Sequence, residues 1–483
     1  MHGVNENIGL LPAPILAKLL FYYLGVSLAL AVIARLVVKQ FEKSIVFCFL
    51  LLLTFFFFGV FKDIISNFEP LASFVSYRLI IPTILICLFG AAVFIYRKNA
   101  SFSRLSILLV SIVVLNLAIE IGHLTYNIIS NNARHQDFGD SEQLLIKSVD
   151  VKTTEAAPDV FWIVLDEYSA SSVLSERWGF ANPLDTMLQS KGFFVAEKAS
   201  SSYNYTQYSL LATLDMQYLN ELDSGSIITY RDIVRGQHSL EKTNVVELFK
   251  KLGYRVNNYS ISDMEGLPAS DYSRFRFDPG LLIDNQTIPG RISLDIAWSF
   301  PYLFVPGKVR DLTIADKVYR SLQATNDSLL AHSMNAFRRG VDAAQPSFFM
   351  LHTMFSHDPF IYNADGTLNI QDGLGIRPDR YIPAIQYTNV VINQVIDSIQ
   401  NLYRDRDIVI ILQGDHGFKF KESDPFYRTS MCKVLYAVYN SDGNHSMWKN
   451  DMNTVNTFRV FFNKYFKTQF PELPNRSFYL YYR

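Results

Sequence analysis

Four long apolar runs near the amino terminus constrain the fold of this 483-residue chain more than any other feature. A membrane-spanning helix needs roughly 20 mostly apolar residues. The run Ser44–Phe61 has no charged residue and includes four consecutive phenylalanines, which would be costly to expose to water. A buried soluble helix can be as apolar as one such run, but four in succession favour a membrane part. The runs lie at Ile15–Val37, Ser44–Phe61, Leu79–Tyr96 and Leu105–His123.

Basic residues are unevenly distributed among the loops between these runs, which predicts the orientation of the membrane part. The positive-inside rule places the first and third loops in the cytoplasm, and four spans then put both ends outside. Residues 1–12 contain neither Lys nor Arg, which agrees, and we expect no cleavable signal peptide. We also expect Glu120 to lie at the outer membrane interface. The loop residues are Arg35, Lys39 and Lys43 in the first, Lys62, Asp63, Glu69 and Arg78 in the second, and Arg97, Lys98 and Arg104 in the third.

The composition becomes polar after the fourth run, which predicts a second, soluble domain. We expect a transmembrane domain of about four helices at residues 1–129, a linker at 130–157 and an extracytoplasmic domain at 158–483. The protein would then be a multi-pass protein of the inner or plasma membrane, with this domain periplasmic or outside. The net charge of −1 provides no basic surface for nucleic acid, which we exclude as a partner. Three cysteines, two of them in apolar runs, form no disulfide framework.

Two apolar, partly β-branched segments of the soluble domain end in acidic or metal-ligating residues. Residues 158–165 are followed by Asp166 and Glu167, and residues 408–412 lead to Asp415 and His416. Such segments are typical of buried parallel strands, whose carboxyl ends meet at one edge of an α/β sheet and build sites there. Carboxylate and imidazole groups together suit a divalent metal. On these residues alone an ordinary strand-to-loop turn remains an equal alternative.

Thr206 precedes leucines at helical spacing, Leu210, Leu211 and Leu214, and is therefore predicted to begin a helix. The free N–H groups of a helix start favour anions. The hydroxyl has two possible roles: an N-cap, which Ser and Thr commonly supply, or a nucleophile activated by a bound cation. The segment itself leaves both open.

The remaining soluble sequence predicts further elements of an α/β fold, beginning with a helical segment over Ser169–Lys191. Residues 347–352 form a strand in which His352 is expected to serve packing, and His357 follows it. Periodic apolar residues predict a helix over Tyr381–Leu402 that leads to the Asp415 strand as a β-α-β unit. Between residues 220 and 344 the pattern is weaker, and part of it is expected to be an insertion over the site or near the bilayer.

Four features of the soluble domain resemble, in their order and spacing, the alkaline phosphatase and sulfatase superfamily. They are the Asp166 strand end, the Thr206 helix start, Ser356-His357-Asp358-Pro359-Phe360 and Gly414-Asp415-His416-Gly417. The resemblance is closest to its membrane-anchored bacterial branch, which includes lipoteichoic acid synthases, phosphoethanolamine transferases and sulfatase-like membrane proteins. It implies an α/β/α sandwich with a mostly parallel sheet. It also implies Thr206 as a metal-bound nucleophile that becomes phosphorylated, Asp166, Asp415 and His416 as further metal ligands, and His357 as a substrate-binding residue.

The chain departs from the superfamily pattern in ways that narrow the expectation. No Cys/Ser-x-Pro-x-Arg sequence surrounds Thr206, so ordinary sulfatase activity is not expected. The ligand pair of a second metal is not recognisable, so we expect one divalent ion, Mn or Zn. Glu167 is a reserve ligand, and Ser209 and Thr213 are fallback nucleophiles. Arg428 and His445 are lesser candidates for the site, since solvated surface charge and a turn are the default explanations of these two residues.

Taken with these residues, the resemblance implies a metal-dependent transferase. It would move a phosphoryl-linked headgroup from a membrane phospholipid donor to an envelope glycan or lipid acceptor through a phospho-threonine intermediate. One alternative is a sulfatase-like hydrolase, a phosphodiesterase or phosphomonoesterase, acting on an envelope or soluble ester. A second is a membrane scaffold that keeps the fold without catalysis.

Overall fold

The computed structural model describes residues 2–68, 76–130, 138, 157–264, 266–269, 277–296, 300, 307–371, 373 and 377–482. The chain divides into two compact units. The first comprises Met1–Gln136 together with Asp278–Phe304, and the second comprises Asp137–Phe277 together with Val305–Arg483. The predicted linker at 130–157 falls almost wholly outside the described residues, so the domain limits drawn from the sequence stay a prediction.

The first unit is helical, as the apolar runs predict. Three helices, α2, α5 and α6, are each long and apolar enough to cross a membrane. The second predicted span is instead a pair of helices, α3 and α4, bent by 61° at the break between them. The helices are α1 His2–Glu6, α2 Ala13–Val38, α3 Phe41–Phe56, α4 Phe58–Ser66, α5 Tyr77–Arg97 and α6 Ser103–Ile129.

The bend between α3 and α4 has a local cause at Gly59. Its N–H donates a hydrogen bond to the carbonyl of Gln286, 2.8 Å away, and so does not bond within a continuous helix. A Cβ at this position would lie 2.7 Å from the carbonyl oxygen of Asn285. The close approach of residues 285 and 286 therefore requires a glycine here, and an apolar pattern cannot reveal that requirement.

The segment that approaches Gly59 comes from the middle of the chain and belongs to the helical unit. It contains helices α12 (Leu281–Asp284) and α13 (Ile288–Asp295). Lys62 Nζ lies 2.6 Å from Asp295 Oδ2, and Tyr77 donates to the same oxygen at 2.7 Å. Arg291 also pairs with Asp63. Helix α4 and the first residue of α5 are thus fastened to an insertion that the sequence places only loosely, over the site or near the bilayer.

The first and last helices of this unit, α1 and α6, are also joined by hydrogen bonds. Asn5 in α1 donates to the side chain of Glu120 at 2.5 Å and to its carbonyl at 2.8 Å. A Cβ on Gly3 would contact Ile283, in the same insertion that α4 and the start of α5 contact. Helix α1, α4 and the start of α5 therefore lie on one side of this unit, as expected if α2 crosses once and the bent pair crosses back.

The second unit is built on a six-stranded sheet of order β2-β7-β6-β1-β5-β4. The β1–β5, β1–β6 and β4–β5 pairs are parallel, whereas β7 runs antiparallel to both β6 and β2. The predicted mostly parallel sheet is confirmed. The strands are β1 Asp159–Leu165, β2 Phe194–Val195, β3 Ile227–Ile228, β4 Arg255–Tyr259, β5 Ser347–Thr353, β6 Ile408–Gly414, β7 Tyr436–Asn440 and β8 Tyr481–Tyr482, where β3 and β8 form a separate pair.

Helices cover both faces of this sheet. Alternate residues of β1 enter two hydrophobic clusters, Val160, Trp162 and Val164 in one and Phe161, Ile163 and Leu165 in the other. This division explains why most residues of the central strands are apolar, and it confirms the α/β/α sandwich. The helices are α7 Ser171–Trp178, α8 Leu184–Ser190, α9 Thr206–Asp215, α10 Tyr230–Ser239, α11 Asn244–Lys251, α14 Gly307–Val341, α15 Tyr381–Leu402, α16 Tyr427–Ser430 and α17 Thr457–Phe466.

Strand register brings the predicted site residues to one edge. Leu165 at the end of β1 pairs with Gly414 of β6 and with Thr353 of β5. The residues that follow all three strands therefore emerge together at the carboxyl edge. The sandwich thus places Asp166, Asp415 and the loop containing His357 at the same place.

An ion pair holds the opposite edge of the same strands. Arg406 Nε donates to Asp159 Oδ2 at 2.6 Å, and the Ser347 N–H donates to Oδ1 at 2.7 Å. Burial raises the pKa of the Asp159 carboxyl even though Arg406 acts against that rise.

We expect Arg406→Met to lower the free energy of unfolding by about 2–4 kcal/mol, because a buried carboxylate loses its partner. Thermal unfolding of the detergent-purified chain measures this, and adding Asp159→Asn should recover part of the loss. No loss in the single variant would contradict it.

Candidate active site

Residues from three strand ends and one helix start converge at the carboxyl edge of the sheet. Asp166 follows β1, Asp415 and His416 follow β6, and His352 lies within β5. Thr206 is the first residue of α9. Parallel strands end at a common edge, and that is the physical reason that positions so far apart in sequence meet here.

The four predicted ligands lie within a few ångströms of one another. Thr206 Oγ1 is 3.3 Å from His416 Nε2 and 3.5 Å from Asp166 Oδ2. His416 Nε2 is 3.8 Å from Asp166 Oδ1 and 3.6 Å from Asp415 Oδ2. Asp166, Asp415 and His416 are fully buried, whereas Thr206 is partly exposed. The hydroxyl therefore stands at the accessible side of a buried cluster of ligand atoms.

Thr206 is not the cap of its helix. Tyr205 occupies the N-cap position and no side chain caps the first turn. The Thr206 hydroxyl is turned toward Asp166 and His416 instead. Of the two roles that the sequence leaves open, this geometry favours the nucleophile.

Backbone groups orient Asp415. Its Oδ1 accepts hydrogen bonds from the N–H groups of Glu167, at 3.0 Å, and His416, at 2.8 Å. Its Oδ2 is buried and has no hydrogen-bond partner among the described residues. One oxygen is thereby fixed by the fold and the other is left facing the cluster.

The imidazole of His416 is held in one tautomer. Its Nδ1 lies 2.8 Å from the carbonyl oxygen of Gly417, which can only accept, so Nδ1 donates. A neutral imidazole then presents a lone pair at Nε2, toward Thr206 and both carboxylates. This arrangement is the one that a metal-ligating histidine requires.

These atoms fit a divalent cation. Asp166 Oδ1, like Asp415 Oδ2, is buried without a hydrogen-bond partner among the described residues. A buried carboxylate oxygen without such a partner is costly, and two that face one imidazole lone pair form a set that a cation would satisfy. Although burial opposes the shift, His357, His352 and His416 hold the pKa of Asp166 below its usual range. The cluster thus keeps its acidic ligand ionised.

His352 is part of this cluster, which the sequence analysis missed. Its Nε2 lies 3.0 Å from Asp166 Oδ2, and the side chain is fully buried. It falls within the same set of potential ligand atoms as Asp166 and Asp415. Its Nε2 already contacts Asp166, so we interpret it as the group that orients this carboxylate. No sequence signal separates such a histidine from a packed one, because it lies inside a buried strand.

We expect His352→Leu to weaken metal binding about 10–100-fold, the usual cost of losing a group that orients a metal ligand. Calorimetric titration of the metal-free chain with Zn²⁺ and Mn²⁺ measures the affinity. His352→Gln is the matched control, since its amide can still donate to Asp166. An affinity unchanged in His352→Leu would show that the histidine serves packing alone.

A second group of potential ligands lies beside the first. It comprises Glu167, His357 and Asp358. The Glu167 carboxylate is 1% exposed and accepts from the N–H groups of Lys419, at 2.9 Å, and Asp358, at 3.1 Å. Glu167, the reserve ligand, thus binds two loops together. His357 Nε2 lies 3.8 Å from Asp166 Oδ1, which places the predicted substrate-binding histidine next to the first group.

Lys419 reaches into this second group. Its Nζ is 3.4 Å from His357 Nε2 and 3.9 Å from Asp358 Oδ2. Burial acts to lower the pKa of its ammonium, but Glu167, Asp358, Asp166 and Asp415 outweigh it and raise that pKa, so the group stays charged. The sequence predicts a polar loop beside the site in which Lys419, Lys421 and Arg428 are available for an anionic substrate, with solvated surface charge as the default.

The remaining candidates lie elsewhere or have other partners. Ser209 donates to the carbonyl of Asp415 at 2.6 Å, and Thr213 donates to the carbonyl of Ser209 at 2.9 Å, so both fallback hydroxyls are buried and engaged. Arg428 donates to the hydroxyl of Tyr481 at 2.7 Å. His445 stacks on Phe194 of the edge strand β2. These contacts give neither Arg428 nor His445 a place among the ligand atoms.

Comparison with known proteins gives a family match. The sulfatase family profile matches residues 158–464. No curated protein matches the chain. Among solved structures, the periplasmic domain of EptC from Escherichia coli in complex with Zn shares 11% identity at a TM-score of 0.39, over 66% of this chain and 84% of that one. The lipooligosaccharide phosphoethanolamine transferase EptA of Neisseria meningitidis shares 14% sequence identity at a TM-score of 0.38. The match covers 84% of this chain and 78% of that one. An alkaline phosphatase superfamily protein of Vibrio parahaemolyticus shares 11% sequence identity at a TM-score of 0.39. The match covers 68% of this chain and 77% of that one.

Proposed function

Because the chain belongs to the sulfatase family, we propose that it is a metal-dependent transferase that moves a phosphoryl-linked headgroup through Thr206. The observation that carries the proposal is the position of the Thr206 hydroxyl. It stands at the start of a helix, 3.3 Å from an imidazole lone pair, beside two carboxylates whose inward oxygens have no hydrogen-bond partner among the described residues. A hydroxyl so placed suits nucleophilic attack on an anionic group.

Phosphoryl transfer is a better fit to these residues than sulfuryl transfer. The residues around Thr206 lack the Cys/Ser-x-Pro-x-Arg sequence that sulfatases need to make formylglycine. A threonine can nevertheless attack phosphorus directly and form a phosphate ester. The family fold is therefore proposed to act here with an unmodified alcohol nucleophile.

The reaction is proposed to take two steps. In the first, Thr206 Oγ1 attacks the phosphorus of a phosphodiester, the bond to the departing alcohol breaks, and the hydroxyl proton ends on that alcohol. In the second, the hydroxyl of an acceptor attacks the phosphorus of the phospho-threonine, the Thr206 Oγ1–P bond breaks, and the acceptor proton ends on Thr206 Oγ1. His357 is proposed to bind the substrate during both steps. Free N–H groups at the start of α9 favour the phosphoryl oxygens.

Asp166, Asp415, His416 and Thr206 itself are proposed to hold the divalent ion, for which Mn and Zn remain the candidates. Bound there, the ion would lower the pKa of the Thr206 hydroxyl and offset charge on the phosphoryl group. The protein contributes the geometry: backbone N–H groups fix Asp415, Gly417 fixes the tautomer of His416, and His352 fixes Asp166.

A membrane phospholipid is the proposed donor, and an envelope glycan or lipid is the proposed acceptor. The reason is the covalent attachment of this unit to helices apolar enough to span a bilayer. Such attachment raises the effective concentration of a lipid substrate at the site. The distribution of basic residues supports an extracytoplasmic position for the sandwich.

The test uses the full-length chain in detergent, loaded with Mn²⁺ or Zn²⁺. It is given vesicles of headgroup-labelled phospholipid and, separately, bis(p-nitrophenyl) phosphate. We expect a labelled adduct on the peptide that contains Thr206 and release of diacylglycerol. Turnover of the soluble ester alone would favour the hydrolase. No adduct and no product from either substrate would contradict an enzyme and leave the scaffold.

A further inference from the structure

We infer that the Lys419 ammonium is the second cationic centre of this site and that it keeps the group Glu167, His357 and Asp358 closed to a second metal ion. The inference rests on the proposed function, since it assigns a partner to the metal of that same site. It concerns the position at which a two-metal enzyme would hold its second ion.

The three side chains could supply a metal site by residue type. They offer a carboxylate, an imidazole and a second carboxylate, with their ligand atoms within 4.8 Å of one another. His357 Nδ1 lies 2.5 Å from the carbonyl oxygen of Asp358, so Nδ1 donates and Nε2 presents the lone pair. Nε2 is the atom that a second ion would need.

The Lys419 ammonium already lies where an ion bound to His357 Nε2 would lie. Its Nζ is 3.4 Å from His357 Nε2 and 3.9 Å from Asp358 Oδ2. The backbone N–H of the same residue is fixed by Glu167 at 2.9 Å, so the loop cannot withdraw the side chain without losing this bond. The side chain is 31% exposed, so it is not sealed from solvent.

Charge balance favours one metal together with this lysine. Four carboxylates face the two groups: Asp166, Asp415, Glu167 and Asp358. One divalent ion and one ammonium leave a single negative charge among them. A second divalent ion would bring two like charges within a few ångströms of the ammonium, and Coulomb repulsion opposes that arrangement. An ammonium also has three donors for phosphoryl oxygens.

The test measures metal content rather than turnover. Purified full-length chain, Lys419→Ala and Lys419→Met are equilibrated with excess Zn²⁺ or Mn²⁺, freed of unbound ion and analysed by mass spectrometry of the elements. We expect one ion per wild-type chain and two in both variants, since either change vacates the position. Lys421→Ala, which alters an exposed lysine two residues away, should stay at one.

Adding His357→Gln to Lys419→Met should return the count to one, which places the extra ion at the second group. Two ions in the wild type, or one in both Lys419 variants, would overturn the inference and leave the proposed function standing. No bound ion in the wild type would instead remove the metal-dependent function itself, so the two failures are distinguishable.

Discussion

Replacement of Thr206 by alanine is expected to abolish headgroup transfer, with a loss on the order of 10³-fold or more, because the reaction then lacks its nucleophile. The metal content should stay near that of the wild type, since Asp166, Asp415 and His416 remain. Transfer is measured with labelled phospholipid vesicles and the adduct by peptide mass spectrometry. Activity lost together with metal would instead assign Thr206 a ligand role alone.

Thr206→Ser is the matched control for this prediction. It keeps a hydroxyl at the first position of α9 and should retain transfer to within about 10–100-fold, since serine also serves as a nucleophile of this kind. Its adduct should appear on the same peptide. A second control is Thr213→Val, which alters a buried hydroxyl that donates to the backbone carbonyl of Ser209. Near wild-type transfer in Thr206→Ala would show that a different group attacks.

The sequence was sufficient to predict the core of the candidate site because strand ends and helix starts are local patterns. Residues 160–165 of β1 and 408–412 of β6 are apolar at every position, so both are recognisable as buried parallel strands, and such strands end at one edge. Asp166 and Asp415 could therefore be placed together without coordinates. Thr206 could be placed at a helix start from three leucines.

Other parts of the site depend on contacts that are distant in sequence. His352 lies in an apolar strand, and its contact with Asp166 arises from the register of β5 against β1. Lys419 lies in a polar loop, and only the fold directs it toward His357 rather than solvent. Neither feature has a local pattern that distinguishes it from packing or surface charge.

Two features of the fold escaped prediction for similar reasons. Helix α14 is 35 residues long, but its sequence is mostly polar because only a narrow stripe, including Tyr319 and Phe337, is buried. The predicted helix over residues 169–191 is two helices, α7 and α8, because Gly179 adopts a φ of 64° and ends the first of them. In both regions tertiary contacts or one backbone angle outweigh apolar periodicity.

The second large effect is expected for Asp415→Asn, which should abolish metal binding and transfer together. Oδ1 of Asp415 accepts two backbone N–H groups, so the amide oxygen of asparagine must take that position. The amide NH₂ then points into the cluster in place of Oδ2, where it can donate but cannot bind a cation. We expect the metal affinity to fall more than about 100-fold, beyond the usual effect of losing an orienting group.

The same substitution should have an opposite effect on the metal-free protein. Asp415 Oδ2 is a buried carboxylate oxygen without a hydrogen-bond partner among the described residues, and its neutralisation removes a desolvation cost. Without metal, Asp415→Asn should therefore unfold at a higher temperature than the wild type. Metal at 100 times its dissociation constant should stabilise the wild type by about 2.7 kcal/mol and the variant hardly at all, so with metal the wild type should unfold at the higher temperature.

Asp405→Asn, at a side chain 87% exposed, is the control and should change the unfolding temperature neither with metal nor without it. A variant that metal stabilises as much as the wild type would show that the ion, if bound, lies elsewhere.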